Sequence, residues 1–119
     1  MTDARVFDHT AIIAYFQGDR RLFEFWQQAD RGELTLVMPA VAVAEANNVI
    51  GATSDAWRPV LDPGQVIVTP LDQSTAIETG PSIGSVVVRH VLYEARSTQG
   101  VIVTSSPWQY PAGVPIWPF

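Results

Sequence analysis

The sequence contains no cysteine and no lysine. Without cysteine, the protein cannot form a disulfide framework, a thiolate nucleophile or a cysteine-rich zinc site. All 7 basic residues are arginines, and 12 acidic residues bring the net charge to −5. Proteins that bind nucleic acids electrostatically normally carry a basic stripe, so this composition speaks against that class.

Long apolar runs are also missing. No segment approaches the roughly 20 apolar residues that a membrane-spanning helix needs, and the N-terminus has no basic-then-apolar leader. We therefore expect a soluble, cytoplasmic protein. A chain of 119 residues with 47% hydrophobic content has enough apolar material for one core. We expect residues 1–119 to form a single domain.

Several common functional patterns are absent. Neither phosphate-binding loop, GxGxxG or GxxxxGK[ST], occurs in the sequence, so nucleotide binding through either is unsupported. His9 and His90 lie far apart, which favours surface or capping roles over a shared site. The four tryptophans lack the interleaved basic residues of a single-strand-binding groove. We expect most of them in the core or at subunit contacts.

Short apolar runs alternate with helical patterns along the chain. The pattern predicts strands at 4–7, 34–38, 66–69 and 100–103, with an edge strand at 114–116. It predicts helices at 9–16, 20–30, 40–50, 72–79 and 83–97. This alternation is typical of a parallel sheet covered by helices on both faces. We predict a three-layer α/β/α sandwich with a central parallel sheet of four or five strands.

Two acidic residues interrupt apolar surroundings. Asp8 follows the first strand, at the sheet edge where ligands collect in open parallel sheets, although aspartate there can equally cap the next helix. Glu45 shares a helix face with Val41, Ala42 and Val49, where a carboxylate is costly unless paired, protonated or bound to a cation. Its alternative role is a helix-edge hydrogen bond to a neighbouring loop. Two inward acids on separate elements suit a divalent cation such as Mg²⁺.

The ordered motifs resemble those of PIN-domain ribonucleases, whose best-known members are toxins of bacterial toxin–antitoxin pairs. The matching segments are VFDHTAI, MPAVAVAEANN and ARSTQGVIVTSSPWQY, and GVPIWPF reads as the closing strand. The resemblance covers nearly the whole chain and implies a PIN-like fold. It also implies that three or four acids hold Mg²⁺ or Mn²⁺ ions, which activate water for RNA cleavage. On that basis Asp8 and Glu45 are the expected catalytic residues and metal ligands, and Thr10 is the accompanying hydroxyl.

The third acid that the resemblance implies is missing. Counting back about eleven residues from Gly100 reaches Arg89, with Val88 and His90 as the neighbouring registers. A cation at this position would repel a metal ion by Coulomb's law. Arg89 could then replace the metal as the counter-ion of the remaining acids. Its alternative role is a solvated arginine on the helix surface.

The fourth acid is missing as well. The family's Thr-x-Asp after the fourth strand is replaced here by Thr104-Ser105-Ser106, so Ser106 stands where the acid is expected. Asp72 and Glu94 are candidates for a relocated acid, although Asp72 fits a helix cap better and Glu94 is expected to face water. The sequence therefore predicts an eroded acidic site that holds no cofactor tightly.

Three functional hypotheses follow. The leading one is a PIN-like protein that acts by binding or regulation, as a homodimer or with an antitoxin-like protein. The second is an active Mg²⁺- or Mn²⁺-dependent ribonuclease that uses a relocated acid and binds RNA. The third is a structural α/β domain without an inherited site. Phe23, Trp26 and the segment Trp117–Phe119 are the expected exposed apolar patch for a partner.

Overall fold

A five-stranded parallel sheet forms the centre of the protein. The computed structural model describes residues 3–119, so Met1 and Thr2 of the expected domain lie outside the described residues. The sheet has the order β3-β2-β1-β4-β5, and every neighbouring pair is parallel. The strands are β1 (Ala4–Phe7), β2 (Thr35–Pro39), β3 (Val66–Thr69), β4 (Val101–Thr104) and β5 (Ile116–Pro118). The predicted parallel sheet is confirmed.

Six helices occupy the connections between the strands. They are α1 (His9–Phe16), α2 (Arg20–Asp30), α3 (Ala40–Ile50), α4 (Ser54–Leu61), α5 (Gln73–Thr79) and α6 (Val86–Thr98). A 3₁₀ turn at Pro107–Gln109 follows β4. Among residues 3–119, no helix is both long enough and apolar enough to cross a bilayer.

Both faces of the sheet are covered, as the predicted sandwich requires. Leu36, Val37 and Met38 are consecutive in β2 and all buried, and consecutive strand residues point to opposite faces. On one face α2 places Phe25 edge-on against Phe7, with ring centroids 6.1 Å apart. Helix α6 contacts β1, β2 and β4, the middle of the sheet. The architecture is an α/β fold of the three-layer type.

Helix α4 was not predicted, because Pro59 lies inside it and proline usually ends a helical pattern. The helix forms nevertheless, since the Thr53 side chain accepts a hydrogen bond from Ala56 N at 3.3 Å and caps its first turn. Trp57 and Val60, which belong to this helix, are its buried residues. Burial of these apolar side chains offsets the local cost of the proline.

Helix α6 begins three residues later than predicted. Gly84 has φ +114°, outside the helical region, and Ser85 provides the cap by accepting from Val88 N at 3.2 Å. Ile83 therefore lies in the preceding loop and is 93% exposed. The edge strand is shifted in the same direction, to Ile116–Pro118, where it pairs with β4 from Ile102 onward.

Candidate functional site

Asp8 lies at the point where the strand order of the sheet reverses. It follows β1, the strand that pairs with β2 on one side and with β4 on the other. In open parallel sheets this reversal point, at the carboxyl ends of the strands, is the usual ligand-binding crevice. Asp8 is nevertheless 0% exposed. The predicted position of Asp8 is confirmed, and its surroundings determine what it can do.

Both oxygens of the Asp8 carboxylate accept hydrogen bonds. Oδ1 accepts from Ala11 N at 3.1 Å and from the Thr10 hydroxyl at 2.5 Å. Oδ2 accepts from the Tyr110 hydroxyl at 3.0 Å. The first bond makes Asp8 the N-cap of α1. The sequence left two roles open for Asp8, an acid at the ligand-binding edge of the sheet and a cap of the next helix. The same side chain lies at that edge and caps the helix.

Two threonines extend this network to the end of β4. Thr10 Oγ1 lies 3.4 Å from the hydroxyl of Thr104, which is fully buried. Because the single Thr10 proton is donated to Asp8, Thr104 is the donor in this longer contact. The backbone N–H of Ser105 donates to Thr10 Oγ1 at 3.0 Å, and that of Ser106 donates to Thr104 Oγ1 at 2.9 Å. The predicted association of Thr10 with Asp8 is thus part of a chain of hydroxyls that holds β1 against β4.

Tyr110 is the residue of this site that sequence reasoning missed. It follows the 3₁₀ turn, is buried, and brings its hydroxyl to Asp8 from the far end of the chain. Burial, together with the adjacent Asp8 charge and the hydrogen bond, raises the pKa of Tyr110 above its usual value. The phenol therefore keeps its proton and donates it. The sequence does contain a signal for Tyr110. It bears a hydroxyl and follows the fourth strand closely, so it could be expected at the same sheet edge as Asp8.

Glu45 lies in a different environment from Asp8. The buried residues of α3 are Ala42 and Ala46, whereas Glu45 and Val49 are exposed. The prediction that Glu45 lies on a buried apolar face is wrong, because small alanines form the packed face of this helix. Within residues 3–119, Glu45 takes part in no hydrogen bond or ion pair. Asp8 is therefore enclosed by the protein, whereas Glu45 is open to solvent.

Arg89 does not serve as the counter-ion of these acids. Its guanidinium donates to two backbone carbonyls, Gly80 O at 3.1 Å and Ser85 O at 3.4 Å. Both contacts tie the start of α6 to the loop before it. Ser106 contributes its backbone N–H to Thr104, and the described residues include no hydrogen bond from its side chain. The neighbouring registers on α6, Val88 and His90, are the ones that point into the protein.

His90 and Glu94 form a buried pair on α6, contrary to expectation. His90 is 0% exposed, and its Nε2 lies 3.8 Å from Glu94 Oε2. Neither ring nitrogen makes a hydrogen bond within the described chain. Burial lowers the pKa of His90 below its usual value, and the Glu94 charge and the Pro70 backbone only partly oppose this. The surface role predicted for His90 and the solvent-facing role predicted for Glu94 are both wrong, since one helical turn places both against the core.

Few oxygen ligands are grouped around Asp8 among residues 3–119. A hard cation takes carboxylate and other oxygen lone pairs. Asp8 Oδ1 already accepts two hydrogen bonds inside the protein and Oδ2 accepts one. Glu45 is exposed. In the part of the chain that the structure describes, no three His, Cys, Asp or Glu side chains are grouped to hold a metal. Asp72 caps α5 through Thr75 N at 2.9 Å, as expected, and is not a relocated ligand.

The predicted apolar patch is packed more closely than expected. Phe23 is 42% exposed and stacks on Trp26 with ring centroids 5.7 Å apart. The Trp26 indole N–H donates to Val60 O at 2.9 Å. Trp117 and Phe119 are only partly exposed and contact each other. Trp26 therefore ties α2 to α4, and Trp117 contacts α2 edge-on through Phe25, with ring centroids 5.0 Å apart.

Comparisons with known proteins do not name a family for this chain. No family model matches it, and no curated protein matches it. The all-parallel α/β fold is compatible with a PIN-like domain. The basis for a functional proposal is therefore the Asp8 network and the molecular surface.

Proposed function

We propose that this protein is a PIN-like cytoplasmic domain that acts by binding, as a homodimer or with an antitoxin-like protein, and does not cleave RNA. The observation that carries the proposal is the Tyr110 hydroxyl on Asp8. In a PIN-type nuclease the first aspartate must offer lone pairs to a metal ion. Here three of the roughly four lone-pair sites of the Asp8 carboxylate accept protein hydrogen bonds, and the second expected acid, Glu45, is exposed.

Charge supports the same proposal. The resemblance implies three or four acids, and this chain retains two of them, Asp8 and Glu45. Each carboxylate removed from a metal site lowers its affinity, because fewer anions offset the cost of dehydrating the cation. A net charge of −5 without lysine also disfavours RNA as a ligand. Protein partners remain the best-supported class.

The proposal is tested by metal linkage and RNA cleavage together. A ligand that binds the folded state stabilises it by RT ln(1 + [L]/Kd). We expect the melting temperature to be the same in EDTA and in millimolar Mg²⁺ or Mn²⁺, and a mixed RNA pool to stay intact. Sedimentation velocity then distinguishes the two forms of the proposal. A dimer is expected if the protein acts as a homodimer, and a monomer if it acts with an antitoxin-like protein.

One result would overturn the proposal in favour of the ribonuclease. It is a metal-dependent rise in melting temperature, accompanied by RNA cleavage that disappears in Asp8→Asn. Asp30→Asn is the matched control, since Asp30 is an exposed acid at the end of α2. Cleavage that survives Asp8→Asn would instead identify a contaminating nuclease.

A further inference from the structure

An exposed groove lies between the end of β4 and the outer side of α6. We call it the Trp108 groove; its main lining residues are Ile83, Leu92, Arg96, Trp108, Tyr110 and Pro111. Its volume is about 450 Å³, within the size range of cavities that receive ligands. The buried Tyr110 forms part of its wall, so the groove adjoins the Asp8 network.

The apolar side chains of this groove are unusually exposed. Ile83 is 93% exposed and Trp108 is 77% exposed, the two highest values among the exposed large apolar residues described. Both line the same cavity, and Leu92 lies buried beside them. Exposed tryptophan beside a concave apolar surface is typical of binding sites.

The charge of the groove is a single cation. Arg96 is exposed in the last turn of α6, and its side chain makes no ion pair or hydrogen bond with residues 3–119. It also lines two adjoining cavities, one of them shared with Glu78. One arginine beside a glutamate cannot neutralise a polyanionic backbone, but its planar guanidinium fits one carboxylate. The charge complement is thus an acidic side chain, and nucleic acid is disfavoured.

We propose that the Trp108 groove binds an extended peptide segment of a partner protein that carries an apolar side chain next to an aspartate or glutamate. The apolar side chain packs between Ile83 and Trp108, and the carboxylate accepts hydrogen bonds from Arg96. This inference rests on the proposed binding function and specifies the partner's chemistry. The protein as a whole is acidic, with a net charge of −5, whereas Arg96 gives this groove a positive charge. The groove should therefore favour a partner segment with an acidic side chain over one with a basic side chain.

Selection from a random peptide library displayed on phage tests the proposal, with the full-length protein as bait. We expect enrichment of peptides that place Asp or Glu beside Leu, Phe or Trp. The best peptide is then synthesised and titrated against Arg96→Glu and Trp108→Ala, each of which should weaken binding about tenfold or more. A peptide with lysine in place of its acid should bind Arg96→Glu better than the original peptide does.

Matched controls separate the groove from general effects of charge and hydrophobicity. Arg20→Glu makes the same charge change at an exposed position in α2, and Val49→Ala shortens an exposed apolar residue in α3. Both should leave the dissociation constant unchanged. Because all four positions are exposed, melting temperatures should stay close to the parent value.

Three results would overturn the groove proposal. The first is no enriched peptide, and the second is peptide binding that is equally strong in Arg96→Glu and Trp108→Ala. The third is a dimer that dissociates in Arg96→Glu, because a second copy of the chain would then be the occupant. RNA cleavage is measured in a separate experiment. Failure of the groove proposal is therefore distinguishable from failure of the proposed function.

Discussion

The Tyr110 hydroxyl donates a 3.0 Å hydrogen bond to Asp8 Oδ2, joining residues 102 positions apart in sequence. Asp8 also caps α1, so the start of that helix is held from the C-terminal part of the chain. A buried carboxylate is stable only where donors replace the water that it has lost. Here Tyr110, Thr10 and Ala11 replace it. The residue that resembles a catalytic acid is thus integrated into the folded structure.

Removing the Tyr110 hydroxyl should destabilise the protein. In Tyr110→Phe the Oδ2 atom of the buried Asp8 loses its donor, and hydrogen bonds to charged groups contribute about 1.5–3 kcal/mol. Urea unfolding should show a loss of that size. Tyr93→Phe is the control, because Tyr93 makes no side-chain hydrogen bond within residues 3–119. Equal stability of Tyr110→Phe and the parent protein would contradict the structural role of this contact.

Substitutions of Asp8 should separate its capping role from its charge. Asparagine is nearly as good an N-cap as aspartate and can still accept from Thr10 and Ala11, whereas alanine cannot. We expect Asp8→Ala to be less stable than Asp8→Asn by about 1–2 kcal/mol. Thermal and urea unfolding of both variants measure the difference. Identical losses would mean that the charge alone matters.

His90 should make stability depend on pH. Burial lowers the folded-state pKa of His90 below its usual 6.5, so between those two values the unfolded chain binds more protons. The contribution of His90 to the free energy of unfolding is therefore fully present above about pH 6.5. It is lost as the pH falls below that value, by at most about 1.4 kcal/mol per pH unit for one proton.

Two substitutions test this assignment by unfolding at several pH values. His90→Leu removes the titrating group and should flatten the slope below pH 6.5. Glu94→Gln removes the neighbouring charge that partly offsets burial, so it should lower the pKa of His90 further and widen the window. A slope that is the same in His90→Leu and the parent protein would show that another group is responsible.

Asn47 should stabilise the junction between α3 and α4. Its Oδ1 accepts from the buried Trp57 indole N–H at 2.9 Å and from Ala52 N at 3.0 Å, and its Nδ2 donates to Ala52 O at 3.1 Å. Asn47→Ala leaves the indole N–H unpaired, and we expect a loss of about 2 kcal/mol. Its neighbour Asn48 is exposed, so Asn48→Ala should change stability by less than about 0.5 kcal/mol. Chemical denaturation of the Asn47→Ala and Asn48→Ala variants measures whether the stability of the junction depends on the Asn47 side chain.

The regular part of the fold was predictable because its signals are local. Apolar runs of strand length at 4–7 and 66–69 match β1 and β3 residue for residue. Helix α1 starts after the aspartate cap that was expected, and α3 ends at Gly51, which has φ +66°. Alternating strands and helices allow few topologies besides a parallel sheet. Most of the architecture could therefore be predicted from local signals, namely helix caps, turns and apolar runs.

The departures have a common physical cause. Helix α4 contains a proline and forms because Trp57 is buried and bonded to Asn47. Glu45 was expected to face inward from its spacing, but the packed face is set by the alanines that allow close approach. His90 and Glu94 were expected at the surface and are buried. In each case packing between distant segments prevails over the local pattern.

The sequence by itself determined the class of fold, the aspartate caps of α1 and α5 and the place of Asp8 at the carboxyl end of β1, because these depend on neighbours within a few residues. Only the tertiary structure decided that Tyr110 donates to the Asp8 carboxylate, that Arg89 binds carbonyls instead of acids, and that Glu45 is exposed. The Tyr110–Asp8 contact in particular joins residues 102 positions apart in sequence. Hydrogen-bond partners of a buried charge are selected by the packed chain as a whole, and so the character of the site follows from the fold and not from its motifs.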